Sequence, residues 1–219
     1  MKLRIATYNV HNTDGAKSLV GIANEIKGIG ADFVGLQELD IGVHRSKGKN
    51  TLSEINKICA YPSAVFAKTI DYDGGDYGIG ALYSYPLVSM QKYLLPSTGE
   101  QRVIVQLVLE TEQGNISFYN THLSLEKNVR EEQFQFISLL LKKEERFILT
   151  GDFNIDSFDE FSPINNIKCA NCPDRSITTF KTGGCIDNIV ISNNMRFENV
   201  FLSESEYSDH NMLVADIIL

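Results

Sequence analysis

Arg146-Phe147-Ile148-Leu149-Thr150-Gly151-Asp152-Phe153-Asn154 is the stretch on which the reading of this chain turns. Its apolar run is too short for a helix and ends abruptly in a glycine, an acid and an amide, the signature of a buried strand with a polar terminus. Strand ends of a layered α/β domain are where side chains from distant parts of a chain converge on one crevice. Asp152 and Asn154 are therefore candidates for chemistry rather than for packing.

The pattern recurs in both directions from there. A strand over Leu3 to Asn9 ends in Asn9, and Asp32 to Glu38 is an apolar run ending in Leu36-Gln37-Glu38. His122 follows a strand ending at Asn120, Asp187 interrupts the apolar run Ile186 to Ile191, and Asp209-His210 precedes a final strand at 212–218. Any one of these residues reads as a turn former or cap. Taken together, sites carrying only Asn, Asp, Glu and His at strand ends are harder to assign to turns.

Helical spacing appears at Leu19, Ile22, Ala23 and Ile26, over residues 51–60, and at Val129, Phe134, Ile137 and Leu141. In the last of these, Glu131 and Glu132 near the start and Lys142 and Lys143 near the end suit the helix dipole. Further strands are predicted at 63–69, at 79–84 after the Gly74-Gly75 turn, at 103–109 and 116–120 around a hairpin turn at Glu112-Gln113-Gly114-Asn115, near 185–192, and at 197–202. Many strands with interspersed helices predict an α/β layered domain rather than a bundle, with residues 1–219 as a single domain.

Composition limits the function. The chain has 219 residues, 20 Lys+Arg against 28 Asp+Glu, and a formal net charge of −8. That balance weighs against a protein that holds nucleic acid chiefly through backbone electrostatics, and leaves room for a local basic patch. The most basic stretch is His44-Arg45-Ser46-Lys47-Gly48-Lys49, in which Arg45 is a substrate-binding candidate because a planar guanidinium can clamp a phosphate at two points. Arg102 is a second candidate, read rather as one half of an ion pair. No apolar run of about 18 residues is present, so a membrane span is excluded. The N-terminus alternates like a strand and has no apolar h-region, so no signal peptide is read and a cytoplasmic location is expected. Cys59, Cys169, Cys172 and Cys185 are expected to be reduced thiols, since Cys169-Ala170-Asn171-Cys172 with Cys185 lacks an evident fourth zinc ligand.

The residue types at the strand ends specify a reaction. Hard oxygen ligands such as Glu38, Asp152 and Asp209 suit Mg²⁺ or Mn²⁺. The amides of Asn9 and Asn154 can bind a phosphoryl oxygen or orient a water, and histidines donate to phosphate or move protons near neutral pH. No G-x-S-x-G elbow supports a serine nucleophile.

The set Asn9, Leu36-Gln37-Glu38, Asn120-Thr121-His122-Leu123, Gly151-Asp152-Phe153-Asn154, Ile186-Asp187 and Ser208-Asp209-His210 resembles the endonuclease/exonuclease/phosphatase superfamily, the deoxyribonuclease I-like phosphoesterases. The resemblance spans residues 9 to 210. It implies a four-layer sandwich: two mixed, mainly antiparallel β-sheets packed face to face and flanked by helices, with the active site at one edge. It also implies Glu38 as principal Mg²⁺ ligand with Asn9 beside it, Asp209 as a further metal-site carboxylate, and Asp152 as the group that orients or deprotonates the attacking water. Asn154 would hold that water or the phosphate, His210 would contact the scissile phosphate with Asp187 fixing its ring, and His122 would match the second histidine of nuclease-like members. The acidic partner that some members supply to this second histidine is not identifiable, with Asp76 and Glu100 as candidates. Tyr85 stands where relatives often carry Arg, and Tyr72, Tyr77, Tyr83 and Tyr85 cluster near the expected crevice edge. The expected activity is Mg²⁺-dependent hydrolysis of a phosphodiester or phosphomonoester, nucleic acid included, by direct attack of water. A non-catalytic binding module with the same fold is the alternative, and no protein partner is inferable.

Overall fold

Along several strands the residues on one face step from apolar to polar to a candidate site residue: Ile5-Thr7-Asn9, Phe118-Asn120-His122 and Ile148-Thr150-Asp152. Because side chains two apart share a face, each strand carries one continuous stripe from an apolar interior to a polar edge. The computed structural model, which describes residues 1–11 and 16–219, shows how these stripes meet.

In chain order the elements are β1 (Lys2–Asn9), α1 (Ala16–Ile29), β2 (Phe33–Ile41), α2 (Thr51–Cys59), β3 (Ser63–Tyr72), β4 (Gly75–Tyr83), β5 (Leu87–Leu94), β6 (Val103–Thr111), β7 (Gly114–His122), α3 (Lys127–Leu141), β8 (Phe147–Asp152), β9 (Ile167–Cys169), β10 (Asp187–Ser192), β11 (Arg196–Ser203) and β12 (Met212–Ile218). They form two six-stranded sheets, ordered β11-β12-β1-β2-β4-β3 and β5-β6-β7-β8-β10-β9. Each sheet contains one parallel pair, β1 with β2 and β7 with β8, and the remaining pairings are antiparallel. Parallel neighbours need a crossover, and here α1 and α3 supply it.

Three apolar layers hold the four layers of structure together. Leu3, Ile5, Phe33, Val105, Leu107, Phe118, Ile148 and Leu213 fill the space between the sheets. The opposite faces of β1 and β2 pack Tyr8, Val34 and Leu36 against Leu19, Ile22 and Ile26 of α1 and Ile55 of α2. On the far side, Tyr119, Phe147 and Leu149 meet Phe134, Ile137 and Leu141 of α3. This is the expected sandwich. No helix among the described residues is long and apolar enough to cross a membrane.

Three local expectations need correction. Strand β5 was not foreseen, because it is an edge strand exposed along nearly all its length and so lacks a one-sided apolar pattern. The three-residue β9 is too short for any periodicity to show. In α3 the dipole pairing is not made: the helix begins at Lys127 with no acid in its first turn, and Lys142 already caps its end. What anchors the start of α3 is Arg130, 1% exposed, forked onto Glu160 (2.8 and 3.0 Å) with Asp156 at 2.7 Å.

Candidate active site

Just inside the reactive edge, the two sheets are pinned together by buried polar side chains. Gln37 Nε2 donates to Asn120 Oδ1 (2.7 Å) and Thr7 Oγ1 (3.2 Å), while Asn120 Nδ2 donates to the carbonyls of Leu36 (2.9 Å) and Gly80 (2.8 Å). Gly35 lies where this approach is closest: a Cβ there would stand 2.2 Å from Thr150 Oγ1 and 2.7 Å from Asn120 Oδ1. Gln37 of the Leu36-Gln37-Glu38 motif and Asn120 of the Asn120-Thr121-His122 motif thus set the distance between sheets, and the last residue of each faces the crevice.

Glu38 reaches the crevice through a β-bulge. The β2–β4 register shifts between Leu36 and Leu39, both of which pack on the helix side, and Glu38 itself has φ +61°. A bulge re-aims one side chain without ending the strand. Asn154, at φ +51°, turns the chain directly after β8 in a conformation that asparagine tolerates.

Asp152 is the centre of the site, 1% exposed. Its Oδ2 accepts from Asn9 Nδ2 (3.0 Å) and lies 3.6 Å from His122 Nε2 and 3.7 Å from His210 Nε2; its Oδ1 accepts from the Asn154 backbone N–H (3.0 Å). Asn9 Nδ2 also donates to Glu38 Oε1 (3.1 Å), so one amide joins the two carboxylates, and Asn9 Oδ1 accepts from the His11 N–H (2.9 Å). Asn154 spends its Nδ2 on the Leu123 carbonyl (2.9 Å). Ser208 fastens the last motif to the first strand: its hydroxyl donates to the Asn9 carbonyl (2.8 Å) and accepts from the His210 N–H (3.0 Å).

The two histidines have opposite partners. His210 Nδ1 is 2.8 Å from Asp187 Oδ2, whereas His122 Nδ1 is 3.0 Å from Arg102 Nη1. Burial disfavours the charged ring of His210, but the charge and hydrogen bond of Asp187, with Asp152 and Asp209 behind it, outweigh this and push its pKa up to about 9. Burial, then the positive charges of Arg102 and His210, hold His122 well below the usual histidine value. Asp152 is raised by burial and by Asp187, with His210 and its two hydrogen-bond donors pulling the other way.

Two sets of residues can hold a cation. Asp152, Asp187 and His210 place ligand atoms within 4.8 Å of one another. A positively charged His210 bound to Asp187 is a poor ligand, however, since a protonated imidazole nitrogen has no lone pair to give. Glu38 and Asp209 are more open, with side chains 20% and 35% exposed, and among the described residues the basic side chain within 4 Å of both is His11, whose Nδ1 is 3.8 Å from Glu38 Oε2 and 3.3 Å from Asp209 Oδ2. Two solvent-facing carboxylates that, among the described residues, have no Lys or Arg ion-pair partner fit a hard divalent ion. His11 was missed in the sequence, although it lies two residues beyond Asn9 and hence on the same side of the chain.

Other expected residues are placed as follows. Arg45 gives two edges of its fork to the buried Asp40 (3.0 and 2.8 Å) and stacks over Tyr72 and Tyr77 at 4.6 and 5.3 Å, so a phosphate would compete with Asp40 for it. Asp76 pairs with Lys68, and Glu100 with Arg102 at 3.0 Å, so neither touches His122 directly. All four cysteines are free, and burial with the neighbouring Cys172 raises Cys169 to about 12, which keeps it a thiol.

Two stacked sheets with a carboxylate, amide and histidine cluster at one edge define a class, and comparison with known proteins agrees. The chain belongs to the endonuclease/exonuclease/phosphatase family, whose profile matches residues 6–210. Phosphoesterase and nuclease-type hydrolysis is the chemistry that this membership supports. Curated proteins give no match. Among solved structures, an endonuclease/exonuclease/phosphatase from Bacteroides vulgatus is similar at 19% identity and a TM-score of 0.81, covering 100% of this chain and 99% of that one. A counterpart from Beutenbergia cavernae is similar at 18% identity and a TM-score of 0.79, covering 100% and 72%. TDP2 of D. rerio, complexed with single strand DNA product, is similar at 17% identity and a TM-score of 0.81, covering 100% and 99%.

Proposed function

We propose that this protein hydrolyses phosphodiesters by direct attack of water, with a divalent cation, Mg²⁺ or Mn²⁺, at Glu38, Asp209 and Asn9. The observation that carries the reading is the arrangement around Asp152: one buried carboxylate faced at 3.6 and 3.7 Å by the Nε2 atoms of two histidines with opposite partners. Asp152 orients the attacking water and receives its proton, a role that suits a carboxylate whose affinity for protons is raised by burial. His210, charged and held by Asp187, donates to a non-bridging phosphate oxygen. The Nε2–H of His122 and the second Nδ2 hydrogen of Asn154, whose first is held by the Leu123 carbonyl, add further donors around the phosphorus, so that charge growing in the transition state meets fixed hydrogen bonds. A bound cation would supply neutralisation of the developing negative charge.

The acidic surface, −8 overall, favours a small or single-stranded substrate over duplex DNA gripped along its backbone. The test is a panel of bis-p-nitrophenyl phosphate, single- and double-stranded DNA, RNA, sphingomyelin and inositol phosphates, run with Mg²⁺, with Mn²⁺ and with EDTA. Hydrolysis that needs the cation and prefers small or single-stranded substrates is expected. Activity resistant to EDTA, or none on any phosphoester, would overturn the reading.

A further inference from the structure

We propose that Arg102 is a positioning residue that locks His122 as the neutral tautomer with its proton on Nε2, so that His122 acts on the substrate as a hydrogen-bond donor and not as a proton source. The inference rests on the phosphodiesterase reading for its catalytic consequence, but its structural core stands apart from activity.

The argument is one of donors and acceptors. A guanidinium has only N–H groups and no acceptor, so a 3.0 Å contact between Arg102 Nη1 and His122 Nδ1 is a hydrogen bond only if Nδ1 offers its lone pair. The ring's one proton is then on Nε2, the atom that faces Asp152 Oδ2 at 3.6 Å. Protonating Nδ1 would set an N–H against an N–H and a positive ring against a positive fork. His122 and Arg102 are 6% and 7% exposed, so water cannot screen that clash. Arg102 is itself held from the other side by Glu100 at 3.0 Å, which fixes its position without reaching the histidine. The order along the chain of contacts is therefore acid, arginine, imidazole, and the sign delivered to the ring is the reverse of the one Asp187 delivers to His210.

Backbone register makes the contact possible. In the β6–β7 hairpin Ile104 pairs with Thr121, which brings the start of β6 alongside the end of β7. Arg102, just before β6, lies beside His122 for that reason.

The test uses the full chain labelled with ¹⁵N, free of metal at pH 7.5, with long-range proton–nitrogen spectra of the four histidines assigned by the loss of one pattern in His122→Gln. His122 is expected to show an unprotonated Nδ1 and a protonated Nε2. Arg102→Met should abolish that fixed pattern and lower kcat on bis-p-nitrophenyl phosphate about 10- to 100-fold, the size expected for losing one hydrogen bond to a charged partner, with KM moving less than about threefold. Arg102→Lys, which keeps a donor and a charge, should restore the tautomer and most of kcat. A proton on Nδ1 in the parent protein, or an unchanged tautomer in Arg102→Met, overturns the proposal. If Arg102→Met does not fold, the parent spectrum and Arg102→Lys decide the matter alone. A parent protein with the expected tautomer and no activity would fault the phosphodiesterase reading and leave the tautomer assignment standing.

Discussion

The Nε2 atoms of His122 and His210 lie at nearly equal distance from Asp152 Oδ2, and both rings are buried and held through Nδ1, yet their environments are opposite. One ring leans on an arginine and the other on an aspartate. Burial pushes both toward neutrality. For His122 the neighbouring positive charges push the same way, while for His210 the acids reverse it. The difference teaches that distance to Asp152 does not set a histidine's charge state; the charge of its outer partner does. On the proposed reading the site needs one of each, a cationic donor for phosphate charge and a neutral donor that does not compete with Asp152 for the water's proton.

The largest effect should come from removing the group the two histidines share. Asp152→Asn is expected to lower kcat/KM by 10³-fold or more, in the range seen when a central catalytic group is lost, with an unchanged thermal melt. Near-parental turnover on bis-p-nitrophenyl phosphate would break the comparison at its centre. Asp187→Asn tests the charge on the His210 side while keeping its shape. It should cost roughly 10²- to 10³-fold in kcat, more than the same measurement gives for Arg102→Met.

The His210 pairing also enters stability. Its folded pKa lies above the unfolded value of 6.5, so its contribution is fully present below that value and is lost as pH rises through about 9. Urea unfolding of metal-free protein should therefore show a decline of order 2–3 kcal/mol between pH 6.5 and 9.5, and the decline should be smaller in Asp187→Asn. The smallest change is expected at Arg45. With its fork committed to Asp40 and stacked on tyrosines, Arg45→Met should shift KM less than about threefold and lower stability by about 1–3 kcal/mol. A tenfold rise in KM would instead make it a substrate clamp.

Much of the site was legible because period two and strand ends are visible without a structure. Asn9, Asp152 and His122 end stripes that begin in the core, and Glu38 ends an obvious apolar run. What could not be read is what depends on how strands pair. The bulge that aims Glu38 follows from the β2–β4 register, and Arg102 becomes the partner of His122 only through the hairpin that aligns β6 with β7. Asp76 and Glu100 are the acids the sequence offers beside His122, but Asp76 pairs with Lys68 and Glu100 is one contact away, because the partner the chain uses is a guanidinium. Strand β5 escaped because an exposed edge has no buried face to mark it.

The most direct measurement follows both imidazoles by ¹⁵N shift in metal-free protein from pH 5.5 to 10. His210 should carry two protons at neutral pH and lose one near 9, while His122 keeps one proton throughout that range. Two histidines titrating together near 6.5 would show that Asp187 and Arg102 do not set opposite charge states, and would contradict the account.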